Sequence, residues 1–99
     1  MDALGFQDDG KGRFLLSGAL GFATVTAALA KGQALFGEHK RIELDLAGVE
    51  ATDSAGLALL VEWTSWARRE NRKLSFKHVP KQALALACIS EVDKILPLG

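Results

Sequence analysis

The chain is predicted to be α/β, with a small mixed β-sheet and helices mainly on one face. Three observations lead there. Strand-like and helix-like periods alternate along the 99 residues. The first two strands flank a Gly-rich turn, whereas each later strand follows a helix. The run Arg41-Ile42-Glu43-Leu44-Asp45-Leu46 alternates apolar and charged residues, so its strand buries only one face. A hairpin makes its strands antiparallel, and strand–helix–strand crossovers make theirs parallel and right-handed. One-sided helical cover of a mixed sheet meets all three conditions.

Taken in order, Leu4 to Gln7 reads as a weak first strand. The turn cluster Asp9-Gly10-Lys11-Gly12 hands the chain to a second strand, Arg13-Phe14-Leu15-Leu16-Ser17. Phe22 to Phe36 reads as a helix, with Val25, Ala28, Leu29, Gly32, Leu35 and Phe36 on one stripe. Gly32 costs helicity but permits close approach, and Gly37 suits a left-handed helix end. The Arg41–Leu46 strand follows. Ser54 to Asn71 is a long helix, Lys73 to Val79 a further strand, and Pro80 to about Ser90 a last helix. The tail Ile95-Leu96-Pro97 reads as a short irregular end. Residues 1–99 form one domain.

Composition excludes several classes of function. Twelve Lys and Arg balance twelve Asp and Glu, so no basic excess suggests nucleic acid or an anionic membrane surface. A near-neutral surface suits a subunit of a complex. The single Cys88 cannot form an internal disulfide, which points to a reducing compartment; its apolar run reads as a small buried hydrophobe. Residues 14–30 carry no charge, but Asp2, Asp8 and Asp9 are wrong for a leader. Gly18, Gly21, Ser17, Thr24 and Thr26 interrupt that stretch, so a membrane span is not expected. His39, His78 and Cys88 lie apart in sequence. No metal-ligand spacing, phosphate-cradling loop or nucleophile elbow is present, so neither enzyme activity nor a metal or cofactor is expected.

The informative stretch is Thr52-Asp53-Ser54-Ala55-Gly56-Leu57. A strand leads towards it and the long helix leaves it. Ser54 thus stands where unpaired N–H groups and the positive end of the helix dipole converge. Such a spot accommodates an acidic side chain or a phosphate. Asp53 or Thr52 can cap the helix, and Gly56 lets its backbone approach another surface.

The long helix carries a surplus of apolar residues. Leu57, Leu60, Val61, Thr64 and Ala67 form the side expected to face the sheet; Glu62, Ser65 and Arg69 form a polar side. Leu59, Trp63 and Trp66 form a third flank. Either the tryptophans fold down over the core edge or touch the neighbouring helix, or they form a partner surface with the Thr52–Ser54 loop; the partner surface is expected. Arg68, Arg69 and Arg72 complement the dipole on a solvated face.

On its element order, on Leu44-Asp45-Leu46 and on Asp53-Ser54-Ala55-Gly56-Leu57, the chain resembles the STAS domains of anti-sigma factor antagonists. The resemblance spans almost the whole chain. It implies that Ser54 holds the family's phosphorylation position. With Ala58-Leu59-Leu60 and the Leu96-Pro97 ending, the chain more narrowly resembles the MlaB-like STAS subunits of phospholipid ABC transporters. That resemblance implies a non-catalytic, cytoplasmic accessory subunit peripheral to an inner membrane. It would bind the ATPase subunit (MlaF-like), within a complex with permease and substrate-binding subunits, and support outer-membrane lipid asymmetry. Thr52, Asp53, Ser54, Ala55, Gly56, Leu59, Trp63 and Trp66 are the expected partner-binding residues. The alternative is an anti-sigma factor antagonist switched by phosphorylation of Ser54. STAS domains often place a Gly-Glu pair after the second strand; Gly18-Ala19 stands there instead, which weakens the kinase-type alternative.

Overall fold

The structure, a computed structural model, describes residues 4–92 and 94–97. Strand β1 (Gly5–Asp8) pairs antiparallel with β2 (Arg13–Leu20), and the intervening turn is set by Asp8 and Asp9. Their carboxylates accept from Gly10 N and Lys11 N, each at 2.7 Å. Helix α1 (Val25–Phe36) leads to β3 (Arg41–Thr52), helix α2 (Ser54–Arg69) to β4 (Lys73–Lys77), and helix α3 (Lys81–Ile89) follows. β3 runs parallel to both β2 and β4, and the sheet order is β1-β2-β3-β4. This is the mixed α/β sheet expected from the sequence.

Both central strands run further than the alternating pattern predicts. β2 continues to Leu20 and β3 to Thr52, through two register shifts that each give β3 one extra residue. Bulges hide the period-2 signal, because each flips the side chains that follow. Gly48 sits at the first, where a Cβ would meet the Leu16 carbonyl oxygen at 2.7 Å. Gly18 sits at the second with φ +100°, so the segment expected to follow the second strand is its own distorted end.

Phe14, Leu16, Ile42, Leu44, Leu46 and Phe76 are buried on the covered face, whereas Arg13, Leu15 and Lys73 are exposed on the other. Three expectations for the helical layer change. The first turn of the predicted α1 is not helical: residues 22–24 form a turn and the helix opens at Val25. Gly37 ends α1 with φ −62°, in the right-handed region, and its N–H bonds to Gln33 O. Cys88 is exposed, because Ala83 and Ala87 supply the buried side of α3.

The largest difference concerns α2. Gly56, Leu57, Leu59, Leu60, Trp63, Thr64 and Ala67 are all buried. At 100° per residue they span one continuous arc of about 160°. The expected outward flank is therefore mostly interior. α2 packs against both α1 and α3 as well as against β3 and β4, so it sits in the middle of the layer. Trp63 is 0% exposed and Leu59 1%. The Trp63 ring meets Phe36 edge-on at 5.2 Å and Phe6 at 6.1 Å, ordinary separations for favourable aromatic pairs. A Cβ at Gly32 would lie 2.6 Å from Trp63 Cζ2, so only glycine lets α1 come this close. Trp66 is half-buried against Phe36, with the Arg72 guanidinium 5.5 Å from its ring. Arg72 also donates to His39 O at 2.6 Å, so it belongs to a packed corner and not to a solvated face.

Gly32→Ala should raise intrinsic helicity by nearly 1 kcal/mol yet lower net stability by about 1–3 kcal/mol, since the enclosed indole cannot retreat. Urea unfolding followed by circular dichroism measures the sign; a gain in stability would contradict this packing.

Candidate docking site

The Thr52–Gly56 stretch lies where β2 and β3 end and α2 begins. Its residues divide into a sealed inner part and an open outer part. Thr52 is 6% exposed, and its N–H reaches Gln82 Oε1 of α3 at 3.4 Å. Gly56 is buried, and a Cβ there would collide with the Leu20 carbonyl oxygen and crowd Thr52 Oγ1. The close approach expected of Gly56 is thus an approach to its own sheet. Thr52, Gly56, Leu59 and Trp63 are removed from the partner-accessible set for the same reason: the fold itself uses them. Ala55 and Trp66 are half-buried, whereas Asp53 and Ser54 are exposed.

Asp53 is the N-cap of α2, with extended backbone (φ −140°, ψ −169°). Its Oδ1 accepts from Gly56 N at 3.0 Å, in the N3 position typical of such caps. Its Oδ2 accepts from Phe22 N at 3.1 Å, across 31 residues of sequence. One carboxylate therefore fixes the start of α2 and the turn before α1. A Cβ at Gly21 would meet Asp53 Oδ2 at 2.7 Å, so that position also has to be bare. The bonds from the Gly56 and Phe22 N–H groups hold the Asp53 carboxyl below its ordinary pKa, and it is ionised at neutral pH.

Because Asp53 caps the helix, the Ser54 hydroxyl is not needed for capping. Ser54 is the first residue of α2 and lies open to solvent. Beside it, residues 22–24 are pinned by Thr24. Its Oγ1 lies 2.9 Å from Ala19 O and accepts from Gly21 N at 3.1 Å. The turn projects the Phe22 side chain outwards, 82% exposed. Phe22 was not among the sequence candidates, because it reads as the first residue of a continuous helix. Ala19, Leu20, Gly21, Thr24, Ala51 and Asp53 help line a hollow of about 180 Å³ between the two loops. That is below the roughly 300 Å³ at which small-molecule sites begin, so the corner presents a surface and not a substrate pocket.

His78 and Asp45 meet elsewhere, on the exposed sheet face, with Nδ1 3.0 Å from Oδ1. The Ala47 N–H and then His78 lower the Asp45 carboxyl. His39 stacks edge-on against Phe14 at 5.8 Å. Both are contacts within the fold. Among the described residues, no helix is long and apolar enough to cross a membrane.

A four-stranded mixed sheet with its helices over one face thus carries, at one corner, an exposed serine that opens the central helix. A family model described as Mlab, STAS domain matches residues 6–97, and the chain belongs to that family. No curated protein matches at the sequence level. Among solved structures, the fold is similar to the anti-sigma factor antagonist SpoIIAA in its unphosphorylated form. That likeness has a TM-score of 0.67 and 13% identity, over 96% of this chain and 84% of that one. A Thermotoga maritima chain proposed as an anti-sigma factor antagonist gives a TM-score of 0.72 and 15% identity, again over 96% and 84%. SLC26A9 gives a TM-score of 0.70 and 20% identity over 89% of this chain, but only 18% of that one. At such identities these likenesses establish the fold.

Asp53→Ala should cost about 1 kcal/mol of stability at pH 7, as loss of an N-cap does. The lowered carboxyl contributes above its unfolded pKa of 3.8 and loses its contribution as pH falls through the still lower folded value. The stability gap between wild type and Asp53→Ala should therefore be constant from pH 7 to pH 5 and shrink below about pH 4. Urea titrations across that range measure it; a gap that persists in acid would contradict the ionic cap.

Proposed function

We propose that this chain is a non-catalytic accessory subunit that binds the ATPase subunit (MlaF-like) of an inner-membrane phospholipid ABC transporter. It would act on the cytoplasmic side, within a complex with permease and substrate-binding subunits, in support of outer-membrane lipid asymmetry. The observation that carries the reading is Ser54. It opens α2 of an Mlab-type STAS domain, is exposed, and is relieved of capping by Asp53. A hydroxyl so placed can make a hydrogen bond across a contact without weakening its own helix.

The corner is suited to a protein partner. From Ala51 to Val61 and from Leu20 to Ala30, Asp53 is the sole charged residue. Interface cores are depleted in charge in the same way. Binding there would favour whichever ATPase conformation fits the corner better, since a ligand shifts an equilibrium only through differential affinity. Of the residues expected from the sequence, Asp53, Ser54 and Ala55 lie at this corner, whereas half-buried Trp66 stands about 18 Å further along α2, beside Arg72. A phosphate on Ser54 would add roughly two negative charges next to the Asp53 carboxylate and oppose such a contact.

The alternative reading, an anti-sigma factor antagonist switched by phosphorylation of Ser54, draws on the likeness to SpoIIAA, whose phosphorylated form has a similar fold (TM-score 0.69). Gly18-Ala19 counts against it, since those residues sit in the bulged end of β2 without the usual carboxylate.

Ser54→Asp and Ser54→Trp should each weaken binding to the purified ATPase subunit by more than tenfold, about 1.4 kcal/mol, and leave thermal melting unchanged. Isothermal titration calorimetry measures the affinity. Unchanged affinity in both variants, or recovery of an ATP-binding switch kinase instead of an ABC ATPase on pull-down, would refute the transporter reading.

A further inference from the structure

We infer that Phe22 is the apolar anchor of this corner and seats in an apolar socket on the ATPase subunit; the inference rests on the docking reading above. Three observations carry it. Phe22 is 82% exposed, in the turn that precedes α1, three residues before Val25. Its backbone is nevertheless held, because its own N–H donates to Asp53 Oδ2 and the preceding Gly21 N–H donates to Thr24 Oγ1. An exposed aromatic on a fixed stem loses little freedom on binding, which is what makes aromatic side chains efficient interface anchors. Beside it, Ala23 and Ala51 help line the same hollow and are exposed and small, so a partner surface can close over the ring without displacing bulk.

The charge pattern selects a protein over a lipid surface. Membrane-seeking faces combine apolar side chains with Lys or Arg. In Leu20–Ala30 and Ala51–Val61 the single charge is the Asp53 carboxylate, which anionic headgroups repel. Ser54 and Phe22 then divide the work. Ser54 supplies a polar contact with strict geometry, and Phe22 supplies desolvated area. Asp53 is the positioning residue that holds both, through its two oxygens.

The test uses the full chain and the purified ATPase subunit in calorimetric titration, with Phe22→Ala, Phe22→Leu, Ser54→Asp and Ile89→Ala. Ile89 is a matched control, since it is 80% exposed and lies at the far end of α3, about 10 Å along the helix from Gln82. Phe22→Ala should weaken binding at least tenfold, Phe22→Leu by about threefold or less, and Ile89→Ala not at all, with melting temperatures unchanged throughout. Loss of affinity in Ser54→Asp with none in Phe22→Ala overturns the anchor and leaves the docking reading standing. Absence of binding by the wild type removes that reading and the anchor with it. An equal loss in Ile89→Ala, or Phe22-dependent binding to phosphatidylglycerol vesicles, overturns the anchor as a partner-specific contact.

Discussion

Trp63 has to be enclosed, and most of the helical layer follows from that requirement. Its ring is too large for the sheet alone to cover, so α1 closes over it from one side and β1 contributes Phe6. Closure is possible because position 32 lacks a side chain. Phe36 then stands between Trp63, Trp66, Phe6 and Phe14 at centroid separations of 5.0 to 6.4 Å. Burying an aromatic of this size contributes a few kcal/mol, comparable to a large share of a small domain's net stability. The indole Nε1 has no hydrogen-bond partner among the described residues, so apolar packing, and not a polar contact, holds the ring.

Enclosing Trp63 moves the free surface elsewhere. Once the flanks of α2 are covered by α1 and α3, its exposed residues are Ser54, Ala58, Glu62, Arg68 and Arg69, and only the amino-terminal end lacks charge. Asp53 organises that end. A single carboxylate satisfies one orphan N–H of α2 and one N–H of the β2–α1 turn, two segments that no covalent proximity joins. The Gly21 and Gly56 positions must be bare for this geometry, because side chains there would occupy the space of the carboxylate and of the Leu20 carbonyl.

The element order, the sheet face and a cap at Asp53 or Thr52 are legible in sequence, because each has a local signature. Ile42, Leu44 and Leu46 alternate, and an Asp precedes a long helical period. What escaped is non-local. A helical wheel says how wide an apolar arc is, but not how many neighbours cover it; Leu59 and Trp63 needed the positions of α1 and α3. The ends of β2 and β3 were hidden by bulges, which shift the alternation by one residue. Phe22 was hidden by continuity of pattern. It falls three residues before Val25, a helical spacing, and what stops the helix short of it is a Thr24 side chain that turns back to Ala19 and Gly21. The glycine at 56 was legible as a close approach, but its direction was not: the nearest surface is the chain's own β2.

On the docking reading proposed above, the division between buried and exposed residues bears on how the domain would act on a partner. A partner's equilibrium responds to a bound domain only if the bound surface differs in fit between two partner states. A mobile surface adapts to both and discriminates little. Here the exposed pieces, Phe22, Asp53 and Ser54, are mounted on backbone held by hydrogen bonds and on a helix locked into a close-packed layer. Ordering costs on such binding would then be small, so differences in fit would pass directly into differences in affinity. The same rigidity makes the corner sensitive to a single added charge. Asp53 is already ionised and cannot move away without releasing both α2 and the neighbouring turn, so a second anion at Ser54 would be felt by the partner more than by the fold.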